Sequence, residues 1–183
     1  IVRIDLFHRS NFFQHEAYLK ARVPRIECKE HGIKQVELPW TRQMSRFTLL
    51  FEAFIMALAK SMPVAAIGRL LNETDPKIWR VVEHYVDNAI EEQDLSELKK
   101  IGVDETASKR GHNYVTLFVD LEEKKAVYVT EGKGADTLTA FNKHLIEHKG
   151  KTEEIKDISC DMSPAFIKGA ADTFPEASIT FDK

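Results

Sequence analysis

The chain has 183 residues, 43% hydrophobic and 30% charged, with a formal net charge of −3 at pH 7. That is enough to bury at least one good core and allows one or two domains, and there is no internal repeat and no low-complexity tract. No run approaches the roughly 20 apolar residues that span a bilayer, which excludes a membrane helix. Ile1-Val2-Arg3-Ile4-Asp5 is not a secretory leader. Two cysteines, Cys28 and Cys160, cannot build a disulfide framework, so a reducing cytoplasm is the expected compartment. The first residue is not Met, which makes a cut through a longer protein the expected origin of this start.

The charge is divided along the chain. Residues 1–80 carry 13 Lys and Arg against 8 Asp and Glu, whereas residues 81–183 carry 13 against 21. A basic front suits contact with phosphate, and an acidic back suits a site that gathers divalent cations.

In chain order, residues 12–19, 21–26 and 34–38 read as short strands, with Cys28-Lys29-Glu30-His31-Gly32 at the last turn. A Cys and a His three positions apart on a tight turn have the shape of half a zinc knuckle, and its other pair is expected upstream of Ile1. From Gln43 the pattern is helical, with Phe47, Leu50, Phe51, Phe54, Ile55 and Leu58 on an apolar face. Pro63 opens a second helix over residues 64–71, and Asn72 suits the left-handed turn that ends it. Asp75 as N-cap and Pro76 at the first helical position start a third helix. This one packs through Ile78, Val81, Val82 and Tyr85 and leaves Lys77, Arg80 and His84 for other faces. Two helices joined by a tight turn, the second carrying bases near its start, predict a helix-turn-helix.

After an acidic linker, Lys99–Thr106 reads as a strand ending near Asp104, with Gly102 keeping the backbone uncrowded. Residues 114–120 and 126–130 form a hairpin around a charged turn. Leu138, Phe141, Leu145 and Ile146 mark a crossover helix closed by Gly150. Ile158-Ser159-Cys160-Asp161 is a second strand ending in an acid, after which Ser163 caps and Pro164 starts a helix, and a last strand runs to Asp182. Acid-ended strand, hairpin, crossover helix and acid-ended strand make the front half of a ribonuclease-H-like core, in which Asp104 and Asp161 converge on one divalent metal site. Glu105 alternates to the other side of the sheet and ranks below Asp104 as a ligand. A plain strand-end role suits Asp182. Lys109, Arg110 and His112, in the loop after the first strand, are candidates for phosphate contact.

The series Phe12–Tyr18, Ala21-Arg22-Val23-Pro24-Arg25, Gly102-Val103-Asp104-Glu105-Thr106, Asp161-Met162-Ser163-Pro164-Ala165-Phe166-Ile167 and Phe181-Asp182-Lys183 resembles a bacterial insertion-sequence transposase. The likeness is to the family with an N-terminal zinc ribbon, a helix-turn-helix and a DDE catalytic core of the retroviral-integrase type. The resemblance implies that Asp104 and Asp161 are the first two acids of the triad, holding Mg2+ or Mn2+ in a two-metal site. It also implies that Cys28 and His31 are the second ligand pair of a Zn2+ ribbon. The third acid, a glutamate, is expected after Lys183.

The expected fold is α/β and multi-domain: a zinc-ribbon-like β segment over residues 1–40, a helix-turn-helix domain over 41–95, and the first part of a ribonuclease-H-like mixed sheet with flanking helices over 96–183. The expected DNA contacts are Lys77, Arg80, His84, Lys109 and Arg110. The expected partners are double-stranded DNA, as terminal repeats and target, and further copies of the chain in the active complex, with no membrane. A ribonuclease-H-like nuclease or resolvase, or a non-catalytic DNA-binding regulator, are the rival readings.

Overall fold

The computed structural model describes the backbone of residues 2–12, 15–109 and 113–181, and the side chains of residues 17–108 and 114–181. The chain forms two compact units, Ile1–Glu91 and Glu92–Lys183. Among the described residues, no helix is long and apolar enough to cross a membrane.

The first unit opens with an antiparallel sheet in the order β1 (Val2–Phe12), β2 (His15–Cys28), β3 (Gly32–Gln35). The two strands expected at residues 12–19 and 21–26 are one, because Lys20 between them keeps the register opposite Leu6. Pro24 stands opposite Val2 at the end of the β1 ladder, and its carbonyl accepts the Val36 N–H at 3.1 Å. Every residue of β3 is exposed, and Val23 is the one fully buried apolar residue among the described side chains of the sheet.

The helices are α1 (Leu49–Ala59), α2 (Val64–Leu71) and α3 (Asp75–Glu91). The first begins later than the apolar pattern predicts, since residues 40–47 are a loop in which the Thr41 hydroxyl donates to the Phe47 carbonyl at 2.7 Å. Thr48 caps α1 by accepting the Phe51 N–H at 3.3 Å. Phe51 and Ile55 are buried with Phe47, Ile67, Leu71, Ile78 and Val81, whereas Leu50 and Phe54, expected on the same face, are exposed. Asn72 ends α2 at φ 52, as its side chain favours. Asp75 lies in the first turn of α3 rather than at its cap, because the Thr74 carbonyl accepts the first bonds, from Lys77 and Ile78.

The second unit is a mixed sheet in the order β6-β5-β4-β7-β8, from β4 (Lys100–Lys109), β5 (Asn113–Asp120), β6 (Lys125–Glu131), β7 (Asp157–Cys160) and β8 (Ser178–Phe181). β4, β5 and β6 are antiparallel neighbours, while β7 runs parallel to β4 and β8 parallel to β7. The parallel steps need crossovers, supplied by α4 (Ala135–Glu147) and α5 (Pro164–Thr173). Ile101, Val103, Phe118, Ile158 and Cys160, all of one strand parity, are buried in one cluster with Leu138, Phe141 and Leu145 of α4 and Phe166 and Ala170 of α5. This α/β arrangement is consistent with the front half of a ribonuclease-H-like core.

Two local expectations change. Ile146 is exposed, since α4 already fills its inner face with Leu138, Phe141 and Leu145. Lys149, at φ 69, and not Gly150, takes the left-handed position after α4. Gly150 is needed for space, because a β-carbon there would run into the Leu145 side chain.

Candidate functional site

The parallel ladder between β4 and β7 ends at the pair Val103 and Cys160. Asp104 and Asp161 are the next residues on the two neighbouring strands. Strand parity puts Asp104 on the sheet face opposite the buried cluster, Asp161 follows the last residue of β7, and both are exposed. Asp104 is not a strand end: β4 continues to Lys109 in antiparallel pairing with β5, where Asp104 stands opposite Leu117. What ends there is the parallel ladder, and Asp161, the residue after β7, is exposed. Gly102, two positions earlier on the same face, leaves room for Leu121, whose Cδ2 a β-carbon would meet at 2.9 Å.

Each carboxylate is anchored at one oxygen. Asp104 Oδ1 accepts the Glu105 N–H at 2.8 Å, and Asp161 Oδ1 accepts the Met162 N–H at 2.6 Å. The Oδ2 of each has no hydrogen-bond partner among the described residues. Ser163 stands at the N-cap of α5, but its hydroxyl makes no capping bond, so Asp161 is set apart by its own backbone contact rather than by a cap at Ser163. Burial, with the Asp161 charge adding to it, pushes the Cys160 thiol above its ordinary range and keeps it protonated. Glu105 lies on the helix-covered side, and its Oε2 is buried with no partner among the described residues. Asp182, Arg110 and His112 lie outside the described residues, as does the side chain of Lys109. Among the described residues, no group of three or more His, Cys, Asp or Glu is placed to hold a metal. Asp104 and Asp161 are two hard oxygen donors of the kind Mg2+ and Mn2+ take, and an incomplete set.

In the first unit, Cys28 and His31 flank the β2–β3 turn, with Sγ 3.4 Å from Nδ1. Gly32, at φ 69, supplies the left-handed residue that lets the chain turn back. Ligands of one tetrahedral zinc, at about 2.3 Å for sulfur and about 2.0 Å for nitrogen, stand about 3.5 Å apart, so the pair is spaced for such an ion.

Lys77, Arg80 and His84 fall on one face of α3. Lys77 is paired with Glu73 at 2.6 Å, Arg80 Nε donates to the Pro76 carbonyl at 3.3 Å, and His84 Nε2 lies 3.3 Å from Asn88. Sequence reasoning missed the neighbours of this face. The carboxylate of Glu52, fully buried in α1, accepts Arg42 Nε at 3.0 Å, the Tyr85 hydroxyl at 3.0 Å and the Ser45 hydroxyl. Loss of solvent, then the Glu52 charge, raise the Tyr85 pKa above its ordinary value. A lone acid inside the apolar run Phe51–Ile55 was the available signal, because a buried carboxylate needs partners.

Residues 101–183 match the DDE transposase model of the ISL3 group, described as a transposase, and residues 36–86 match the helix-turn-helix domain of transposase family ISL3. The chain is 26% identical over 169 residues to the transposase for insertion sequence element IS1557 of Mycobacterium tuberculosis, covering 88% of this chain and 36% of that protein. It is 25% identical over 171 residues to the transposase for insertion sequence element IS1001 of Bordetella parapertussis, covering 93% of this chain and 42% of that one. The chain thus spans roughly 36–42% of the length of these relatives. A cryo-EM structure of a simian T-cell lymphotropic virus intasome in complex with PP2A regulatory subunit B56 gamma covers 72% of this chain and 51% of its own at 13% identity. Its TM-score of 0.38 is too low to bear on the site. The chain thus carries, in order, a helix-turn-helix match and a catalytic-domain match to one group, the ISL3-type insertion-sequence transposases.

Proposed function

We propose that these residues carry the DNA-recognition helices and two of the metal-holding carboxylates of a transposase that cuts insertion-sequence ends and joins the freed 3′-hydroxyl to target DNA. The observation that supports the reading is the position of Asp104 and Asp161, each one residue past the last pair of the parallel ladder and each exposed. A divalent cation at such carboxylates supplies Lewis-acid activation of an attacking oxygen and neutralises charge at the phosphodiester. The protein's own part is positional. The Glu105 and Met162 amides fix one oxygen of each acid and leave the other for a ligand. Two acids are fewer than the chemistry needs, and the further donor is a third acid outside residues 1–183.

Lys77, Arg80 and His84 meet duplex DNA at the terminal repeats, with Lys109 and Arg110 on phosphate. The Cys28 and His31 pair, with Sγ 3.4 Å from Nδ1, is half of a structural zinc site. An element has two ends to bring together, so the active complex contains more than one copy of the chain.

The test is a strand-joining assay of the full reading frame on a duplex bearing the element's end. Metal-dependent nicking followed by joining is expected. Nicking without joining would make the protein a nuclease, and DNA binding without either would make it a regulator.

A further inference from the structure

Beside the exposed face of α3 lies a cavity of about 510 Å3, walled by Arg42, Arg46, Lys77 and Arg80, with the exposed Met44 as its main apolar surface and the buried Phe47 and Val81 beneath. Its walls come from two places, the loop before α1 and the first turns of α3. The loop is tied down: Arg42 Nε is held by the buried Glu52 at 3.0 Å, and Arg42 Nη2 lies 3.5 Å from the Arg80 carbonyl. The charges around the cavity are unequal in what they are free to do. Glu52 compensates Arg42 and Glu73 compensates Lys77, whereas Arg46 and Arg80 have no carboxylate partner among the described residues. The cavity thus has at its edges two guanidinium groups with no carboxylate partner among the described residues, and an apolar lining contributed mainly by Met44.

We propose that this cavity seats one sugar–phosphate unit of a DNA strand, with Arg46 and Arg80 on the phosphate and the deoxyribose against the exposed Met44 side chain and the edge of Phe47. The proposal rests on the reading of α3 as a DNA-contacting helix. A cavity of this volume is on the scale of pockets for whole organic ligands, roughly 300–1,000 Å3, and is larger than a bare phosphate ion fills. Guanidinium groups match phosphate oxygens through paired N–H donors, and the apolar lining has nothing to offer a hydrated ion. Arg46 lies outside α3, so its contact fixes the register of the unit on the duplex without reading a base.

The experiment is fluorescence anisotropy of the 183-residue chain with duplexes of two unrelated sequences across a salt titration, comparing Arg46→Ala and Arg46→Lys. Loss of one phosphate contact lowers the slope of log K against log salt by about 0.9. Arg46→Ala is expected to lower it by that amount and to weaken both duplexes by the same factor, and Arg46→Lys to restore most of the slope. Circular dichroism melts of the variants verify that the fold is retained. A parent that binds neither duplex would defeat the DNA reading itself. A parent with a steep slope that Arg46→Ala leaves unchanged would defeat the cavity proposal alone. Thymidine monophosphate and inorganic phosphate serve as small probes by NMR. Saturation of the Arg46 and Arg80 side-chain signals by either at low concentration, with no response to duplex, would make the cavity a small-molecule site and overturn the proposal.

Discussion

Asp104 and Asp161 each stand one residue beyond Val103 and Cys160, the last pair of the parallel ladder between β4 and β7. The ladder holds the two strands in step up to that pair, and both acids beyond it are exposed. In the proposed metal site their like charges repel unless a cation lies between them.

In the full-length protein, Asp104→Asn and Asp161→Asn should each abolish end cleavage and joining while leaving DNA binding intact, because neither touches the helix-turn-helix. In the 183-residue chain, Mn2+ should bind weakly, as followed by electron paramagnetic resonance, and more weakly still after either change. Cleavage at the parent rate by either full-length variant would remove that residue from the metal site.

In the proposed zinc site Cys28 and His31 are two of the four ligands a structural zinc needs, and two alone make a weak site. The purified 183-residue chain should retain little zinc after dialysis. Elemental analysis finding one tightly held zinc per chain would point to His8 or His15, whose side chains lie outside those described, as the missing ligands.

The Lys77→Ala/Arg80→Ala double variant should weaken duplex binding by residues 1–95 and flatten its salt dependence, since phosphate contacts carry both. Parent-like affinity across a salt titration would show that α3 does not face the DNA.

His144 packs against the Tyr128 ring at 4.5 Å and lies 3.1 Å from Gln93 Oε1. Loss of solvent first, and the neighbouring His148 second, lower its pKa. With the folded value below the unfolded one of about 6.5, the unfolded chain binds the proton more readily. Stability is therefore fully present above about pH 6.5 and is lost as the pH falls through the folded pKa. Urea midpoints of the 183-residue chain should fall between about pH 7.5 and 5.5, and His144→Gln should flatten that part of the curve. An unchanged pH profile in the variant would assign the effect elsewhere.

Gly150 is closed against Leu145, which is fully buried and has no room to turn aside. Gly150→Ala should cost about 1–3 kcal/mol in chemical denaturation. A cost near zero would mean that the end of α4 yields.

Short-range signals in the sequence were sufficient for much of this protein. Pro63 and Asn72 delimit α2 because a ring and a left-handed backbone are local properties, and the alternation and apolar spacing in residues 100–181 place the strands, the crossovers and both acids. The Cys28 and His31 pair was legible for the same reason, a tight turn being set by its own residues.

Tertiary structure decided what depends on partners distant in the chain. Nothing local to Leu50 and Phe54 shows that α2 and α3 would leave them exposed and take Phe51 and Ile55 instead. The continuation of β4 past Asp104 is set by pairing with β5. Residues 43–47, which the apolar pattern assigns to a helix, lie in a loop whose Arg42 and Ser45 are bonded to Glu52, buried in α1, and Tyr85 of α3 shares the same carboxylate. Hydrogen bonds to a buried charge are chosen by which groups the fold brings to it, and that choice is not written at any one position of the chain.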